Sequence, residues 1–363
     1  LLAATTGNCA KIDDSFHEMS KKEIKEGWSK LKKILPYLMN VYNQQLQISR
    51  NEFLSNGPLY VTTRFLSNKK SNTFTSDEEQ RAWMYFALLA WVHNRYSGSG
   101  GDYKLNIDFD KVDGEDNPVP GLVQNISFQK GQLEVHPTQI KGAKVGTKNQ
   151  FFGLYLISLK SNGGINWKDG EKFYPPEPQK SLHNHHIFPS KLRNEVKEAG
   201  GDIEVYDFMA NRVILKDTTN WEIGFKEPKN YLPEVLENYP KALDQQYIPY
   251  GNKKYWELTS FDEFIDERSK LLANGINNFI RSFGEDIETL PIVDLENLPE
   301  EGTQIEYKAS FKSDINKTGI GQKILIREVV TTVAAFANSL GGKLLIGVED
   351  DKNIIGISED LKT

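Results

Sequence analysis

The sequence predicts a multidomain α+β protein: an N-terminal α-helical bundle, a compact strand-and-helix unit around a histidine cluster, and the start of a C-terminal α/β domain. Three observations carry this prediction. The chain has 363 residues, more than one hydrophobic core usually organises. Helical periodicity with capping signals dominates its early part, and the texture changes near Leu295 to strand, helix and buried strand. The expected boundaries are 1–175 for the helical part, 176–285 for the histidine unit with a trailing helix, 286–300 for a linker, and 301–363 for the last domain.

Taken in order, Ser20-Lys-Lys-Glu23 has capping-box spacing and leads into Ile24, Trp28, Leu31, Leu35, Leu38 and Tyr42, with Pro36 expected to kink or split that helix. Ser76-Asp-Glu-Glu79 opens a second helix through Tyr96, ended by Ser-Gly-Ser-Gly-Gly. It is apolar nearly all round, so Trp83, Tyr85, Phe86 and Trp91 read as core. Residues 102–149, rich in Gly, Pro, Asp and Asn, read as loops with strand-like pieces such as 133–135, and a helix is expected at roughly 150–160. The patch Tyr174-Pro-Pro-Glu-Pro178 reads as an extended approach to the histidines. Strand and helix patterns follow to about Tyr250, and Ser260-Phe-Asp-Glu263 predicts a third capped, amphipathic helix. Residues 284–299 are acidic, aperiodic and contain two prolines, which suits a linker.

Bulk composition narrows the function classes. A formal net charge of -6 argues against a protein that coats nucleic acid nonspecifically, since such proteins rely on a basic excess. The single cysteine, Cys9, excludes an internal disulfide and a Cys-based zinc cage, and fits a reducing cytoplasm. The longest apolar run, 82–92, is too short to span a bilayer, so no membrane partner is expected. The chain opens without Met and stops soon after a hydrophobic strand pattern, as a piece of a longer protein would.

Three of the six histidines stand at 183, 185 and 186. A polar surface strand, a structural zinc site and a nuclease site are the competing explanations. The zinc site needs about four ligands, and His17, His93 and His136 lack any such spacing. The nuclease reading draws on 211–220, a strand entering a short helix with Thr218 or Thr219 available as N-cap. Phosphodiester hydrolysis needs a base for water and a divalent cation for the scissile and departing oxygens. An imidazole meets the first need; an imidazole with a carboxamide oxygen leaves most of a cation's coordination sphere open for the second.

His185-His186-Ile-Phe-Pro189, followed by Asn211-Arg-Val-Ile-Leu and Asn220, resembles the HNH motif of the His-Me finger (ββα-metal) nucleases. The resemblance implies His186 as general base, His185 and Asn220 as metal ligands, and Asn211 as the catalytic-loop residue that ties the loop to the strand and orients His186. Many relatives carry Asp where His185 stands; an imidazole is a softer donor, leaning the choice among Mg²⁺, Mn²⁺ and Ni²⁺ towards the latter two. His183 has no role in the motif. The continuation 220–232, and more weakly Trp28, Arg95-Tyr-Ser-Gly-Ser and Asp108, resemble GmrSD-type, modification-dependent restriction proteins. That implies DNA as substrate and cleavage of foreign DNA as function. In that family a nucleotide-hydrolysing ParB-like domain with an Asp-Gly-Gln-Gln-Arg type motif comes first; this sequence has no such motif, and a missing N-terminal domain of that kind is an expected partner.

Farther on, 301–308 reads as a strand, 324–340 as a helix stopped by Gly341-Gly342, and 343–348 as a buried strand. Ala335-Phe-Ala-Asn-Ser-Leu-Gly-Gly-Lys-Leu-Leu-Ile-Gly-Val348 resembles the AlbA-like domain of Schlafen proteins. By that resemblance Glu301, Glu306 and Asp350 fall on the positions of a metal-holding acidic trio that cleaves RNA. The bland reading is a linker acid, a same-face Glu306–Lys308 pair and a turn cap. An RNase using those acids and a non-catalytic DNA-binding scaffold are therefore the alternatives to a DNA endonuclease.

Overall fold

The computed structural model describes residues 2–6, 19–98, 100–130, 133–146, 149–174, 182–284, 298–303, 305–315, 319–338 and 342–360. Residues 286–297 of the expected linker, the Pro175–Pro178 patch, Cys9 and Gly341 lie outside the described residues. Among the described residues the architecture is helix-rich with two two-stranded sheets, a mixed α+β arrangement. Packing divides the chain into two compact units. One holds Leu1–Thr6, Met19–Asn94 and Glu134–Glu285; the other holds Gly7–Glu18, Arg95–Leu133 and Asp286–Thr363.

In the first unit, helix Lys21–Leu46 starts at a complete capping box on Ser20 and Glu23. Pro36 does not split it. Helix Asp77–Val92 buries every residue from Trp83 to Val92, as its all-round apolar sequence requires. Its N-cap Ser76 accepts from the Glu79 amide, while the Glu79 carboxylate accepts from Thr75 N instead of closing the box. Helix Gln150–Ser161 lies where periodicity placed it. Helix Phe261–Arg281 also forms, but Ser260 makes no side-chain cap, so this third capping box is a sequence match without the geometry.

The expected boundary after residue 175 does not separate two bodies. Tyr155 from helix Gln150–Ser161 donates to Gln246 Oε1 at 2.7 Å, and the same oxygen accepts from Ile214 N at 2.8 Å. Helix and histidine unit therefore share one buried hydrogen-bond network. The core around the histidine unit is built from Trp167, Ile187, Phe188, Tyr206, Val213, Leu215, Tyr231, Trp256 and Phe261, among others. Phe188 meets the rings of Phe261 and Phe264 edge-on, at 5.1 and 5.2 Å between centroids.

Residues 101–141 correct the loop reading: helices Gly101–Gly114, Val119–Lys130 and Pro137–Lys141 occupy them. Pro118 and Pro120 stand at the start of Val119–Lys130 and Pro137 begins Pro137–Lys141, positions where a missing amide proton costs nothing. Leu133–Val135 forms no strand. Within the second unit, Arg95 forks onto the fully buried Asp108 carboxylate at 2.6 and 2.7 Å, and Tyr96 and Asn125 donate to it as well. The C-terminal part pairs β3 (Ile305–Lys308) in parallel with β4 (Lys343–Ile346), with helix Gln322–Ala337 between them in sequence. β4 is half-buried, not buried as expected. No helix among the described residues is long and apolar enough to cross a membrane.

Candidate active site

Strand β1 (Leu182–His186) runs antiparallel to β2 (Arg212–Lys216), with His185 opposite Val213 and His186 opposite Arg212. β2 passes directly into helix Asp217–Ile223. Neither threonine caps that helix. Lys216 holds the N-cap position without a side-chain bond, and Thr219 Oγ1 instead accepts from Asn166 Nδ2 at 2.8 Å. Asn166 Oδ1 in turn accepts from Lys216 N, so the strand-to-helix junction is fixed from the side.

That junction brings together residues 35 positions apart. His185 Nδ1 hydrogen-bonds Asn220 Oδ1. The His185 ring is buried, and its Nε2 has no hydrogen-bond partner. Burial pushes the imidazole down to about 4, against the Asn220 bond, which favours the charged form. His185 is therefore neutral at pH 7, the state a cation ligand needs.

His186, the next residue, turns to a different partner. Its Nε2 lies 2.8 Å from Asp207 Oδ1. The other Asp207 oxygen accepts from Arg193 at 2.6 Å, and Arg212 reaches Oδ1 at 3.3 Å. Burial lowers the His186 pKa below the ordinary histidine value, with the Asp207 bond opposing. Asp207 itself is held below the usual carboxylate range, first by its bond to His186 and then by Arg193.

Asn211 is fully buried and acts on the backbone next to His186. Its Oδ1 accepts from Phe188 N at 2.9 Å, its Nδ2 donates to Tyr206 O at 2.9 Å, and its carbonyl accepts from Ile187 N at 3.0 Å. The chain just past β1 is thereby stitched to the start of β2. Tyr231 adds a hydroxyl bond to Ile187 O at 2.7 Å.

Asn184, His185, His186, Pro189, Ser190, Asn220, Trp221, Gly224 and Phe225 line one open pocket of ≈ 370 Å³. His183 lies on β1 opposite Leu215. The donor set of one neutral imidazole and one amide oxygen fits a divalent cation that takes its other ligands from phosphate and water. His185 and Asn220 would hold such a cation, which would supply Lewis-acid stabilisation of a phosphate beside them. Among the described residues no three His, Cys, Asp or Glu side chains form a metal-holding group.

The acidic trio is accordingly not assembled into such a group. Glu301 accepts from Tyr307 N at 2.6 Å, and Glu306 pairs with Lys308 at 2.5 Å on the same strand face. Asp350 sits in the turn after β4.

Asp207, Tyr231 and Arg268 also contribute, and their sequence signals differ. Asp207 is one acid among several between 202 and 207. Tyr231 reads as core. Arg268 did carry a signal, because it interrupts the apolar spacing Phe264–Arg268–Leu272 of its helix. It is wholly buried and donates to the carbonyls of Ala210 at 2.8 Å, Arg212 at 2.6 Å, Gln246 at 3.1 Å and Met209 at 3.3 Å, bracketing Asn211.

Comparison with known proteins bears on the C-terminal end. Residues 301–363 match the family model described as Schlafen, AlbA_2, which agrees with the AlbA-like domain expected from 301 onward. A stretch of 161 residues, 43% of this chain, is 29% identical to an uncharacterized protein of Methanocaldococcus jannaschii. The chain matches about 25% of the length of that curated relative.

Proposed function

We propose that residues 182–224 form an HNH unit and that the protein is a metal-dependent endonuclease cutting DNA. Restriction of foreign DNA is the role that the likeness to GmrSD-type proteins suggests. The observation carrying this reading is the convergence of His185 and Asn220, from β1 and the helix after β2, beside a neutral His186. In the proposed reaction His186 takes a proton from water at the ring nitrogen that Asp207 leaves available. His185 and Asn220 hold a divalent cation, which when bound neutralises charge developing on the scissile phosphate and leaving oxygen. Asn211 and Arg268 fix the backbone that aims His186. The AlbA_2 region at 301–363 supports a nucleic-acid partner and keeps an RNase as the second reading, although Glu301 and Glu306 are engaged in local bonds.

The test is plasmid cleavage in Mg²⁺, Mn²⁺, Ni²⁺ or EDTA by wild type and His186→Ala, with tRNA as a parallel substrate. Metal-dependent nicking that falls about 10²–10⁴-fold in the variant, while DNA binding persists, is expected. Undiminished cleavage by the variant would refute the assignment of the base.

A further inference from the structure

We infer that Trp221 and Phe225 form a stacking platform for an unpaired nucleobase at the mouth of the histidine pocket, so that the substrate presents a single-stranded or locally opened stretch there. This deepens the nuclease reading and depends on it for where the backbone runs, but stacking is a binding property measurable without any cation.

The first ground is exposure in the wrong place for a core residue. Trp221 is 73% exposed and Phe225 61% exposed, whereas Trp83, Trp91, Trp167 and Trp256 are at most 2% exposed. Large exposed aromatics have an apolar hydration cost, and here two of them line the same pocket as His185, His186 and Asn220. Local geometry then explains how both reach it. Helix Asp217–Ile223 ends at Gly224, whose φ of 55° lies in the left-handed region and whose amide bonds Asn220 O at 3.0 Å. That reversal returns Phe225 to the pocket wall already formed by Trp221. Since Trp221 directly follows Asn220, a nucleotide whose phosphate meets the amide has a base within reach of the indole.

Charge points to the same occupant. The Lys191 ammonium lies 4.4 Å from the centre of the Phe225 ring, and Arg193 and Arg212 bond the Asp207 carboxylate that His186 contacts. An aromatic surface with cations beside it suits bases and phosphates together, whereas a protein partner's apolar side chains would gain nothing from the cations. Bases inside a duplex are already stacked on each other and offer a free face only after being flipped out. The platform therefore favours unpaired DNA.

The experiment measures binding in EDTA by fluorescence anisotropy, using a labelled single-stranded DNA carrying 2-aminopurine, the matching RNA strand and a blunt DNA duplex. The expected result is single-strand binding about tenfold tighter than duplex binding, with 2-aminopurine quenched. Trp221→Ala should lose about tenfold on the single strand and little on the duplex, and Trp221→Phe should retain most of the affinity. An equal loss on the RNA strand would support a platform that reads the base alone; a loss confined to DNA would support one that also reads the sugar. Unchanged single-strand affinity in Trp221→Ala, or equal weakening on single strand and duplex, overturns the inference. Both residues are exposed, so folding is checked simply by an unaltered circular dichroism spectrum. Undiminished cleavage by His186→Ala would defeat the assignment of the base while leaving this binding result intact, and the converse also holds.

Discussion

Asp207 determines which nitrogen of His186 is left to accept a proton. A carboxylate only accepts, so Nε2 carries hydrogen and Nδ1 keeps its lone pair. Asp207→Asn removes that preference, since an amide can donate to Nε2 and force the wrong tautomer. A loss of about 10- to 100-fold in single-turnover cleavage is expected, the usual range for a partner that orients a working histidine. The pH profile separates this from mere destabilisation. In the proposed reaction the working form of His186 is neutral, so cleavage should be complete above its folded pKa and fall as pH drops through it. Burial places that point below the ordinary histidine value, and the Asp207 bond raises it part of the way back. Asp207→Asn should therefore move the acid limb to lower pH while lowering the plateau. A limb that stays put would show that Asp207 does not act on the imidazole.

At the scale of the element, the turn Met209–Asn211 leading into β2 is held by Arg268 through the Met209 and Ala210 carbonyls. Burial pushes the guanidinium down to about 10, still charged at neutral pH, and its hydrogen-bond partners are backbone oxygens. Arg268→Ala would leave those carbonyls buried without donors, at about 1–3 kcal/mol each where no water enters. Loss of about 3 kcal/mol or more in urea unfolding is expected, and Arg268→Lys should recover little, because an ammonium cannot span a fork of carbonyls. Near-wild-type stability in Arg268→Ala would mean water replaces the guanidinium. The same element illustrates what the sequence could and could not disclose. Residues 211–220 announced a strand entering a helix by pattern alone. The Asn220–His185 meeting was legible only through the motif resemblance, because periodicity says nothing of a contact 35 positions long. Asp207 was invisible, since its role depends on a loop whose course no local propensity sets. The helices between 101 and 141 are hidden for the opposite reason: Pro118, Pro120 and Pro137 stand at helix starts, and proline marks a loop equally well in sequence. Ser260 shows the converse error, a capping pattern whose backbone sits at φ -111°, ψ 22° and makes no cap.

At the scale of the whole chain, two regions invite a nucleic-acid reading, and they make opposite demands on their acids. In the proposed reading the histidine pocket would hold a cation by neutral donors and leave its remaining sites to substrate. The AlbA_2 region would need Glu301, Glu306 and Asp350 to face one ion as free carboxylates. Two of the three are engaged otherwise: Glu301 closes the turn onto Tyr307 N, and Glu306 faces Lys308 along the strand. Releasing both would forfeit a charge-assisted backbone bond and an ion pair before any cation could be gained. A Glu301→Gln/Glu306→Gln variant keeps the shape of both side chains and removes their charge, so it should bind nucleic acid much as wild type does. Its metal-dependent plasmid cleavage should stay within about twofold of wild type, since the histidine pocket uses neither residue. Abolished cleavage of plasmid, or of tRNA if wild type cuts it, would transfer the chemistry to the C-terminal acids and make the histidine unit the binding element.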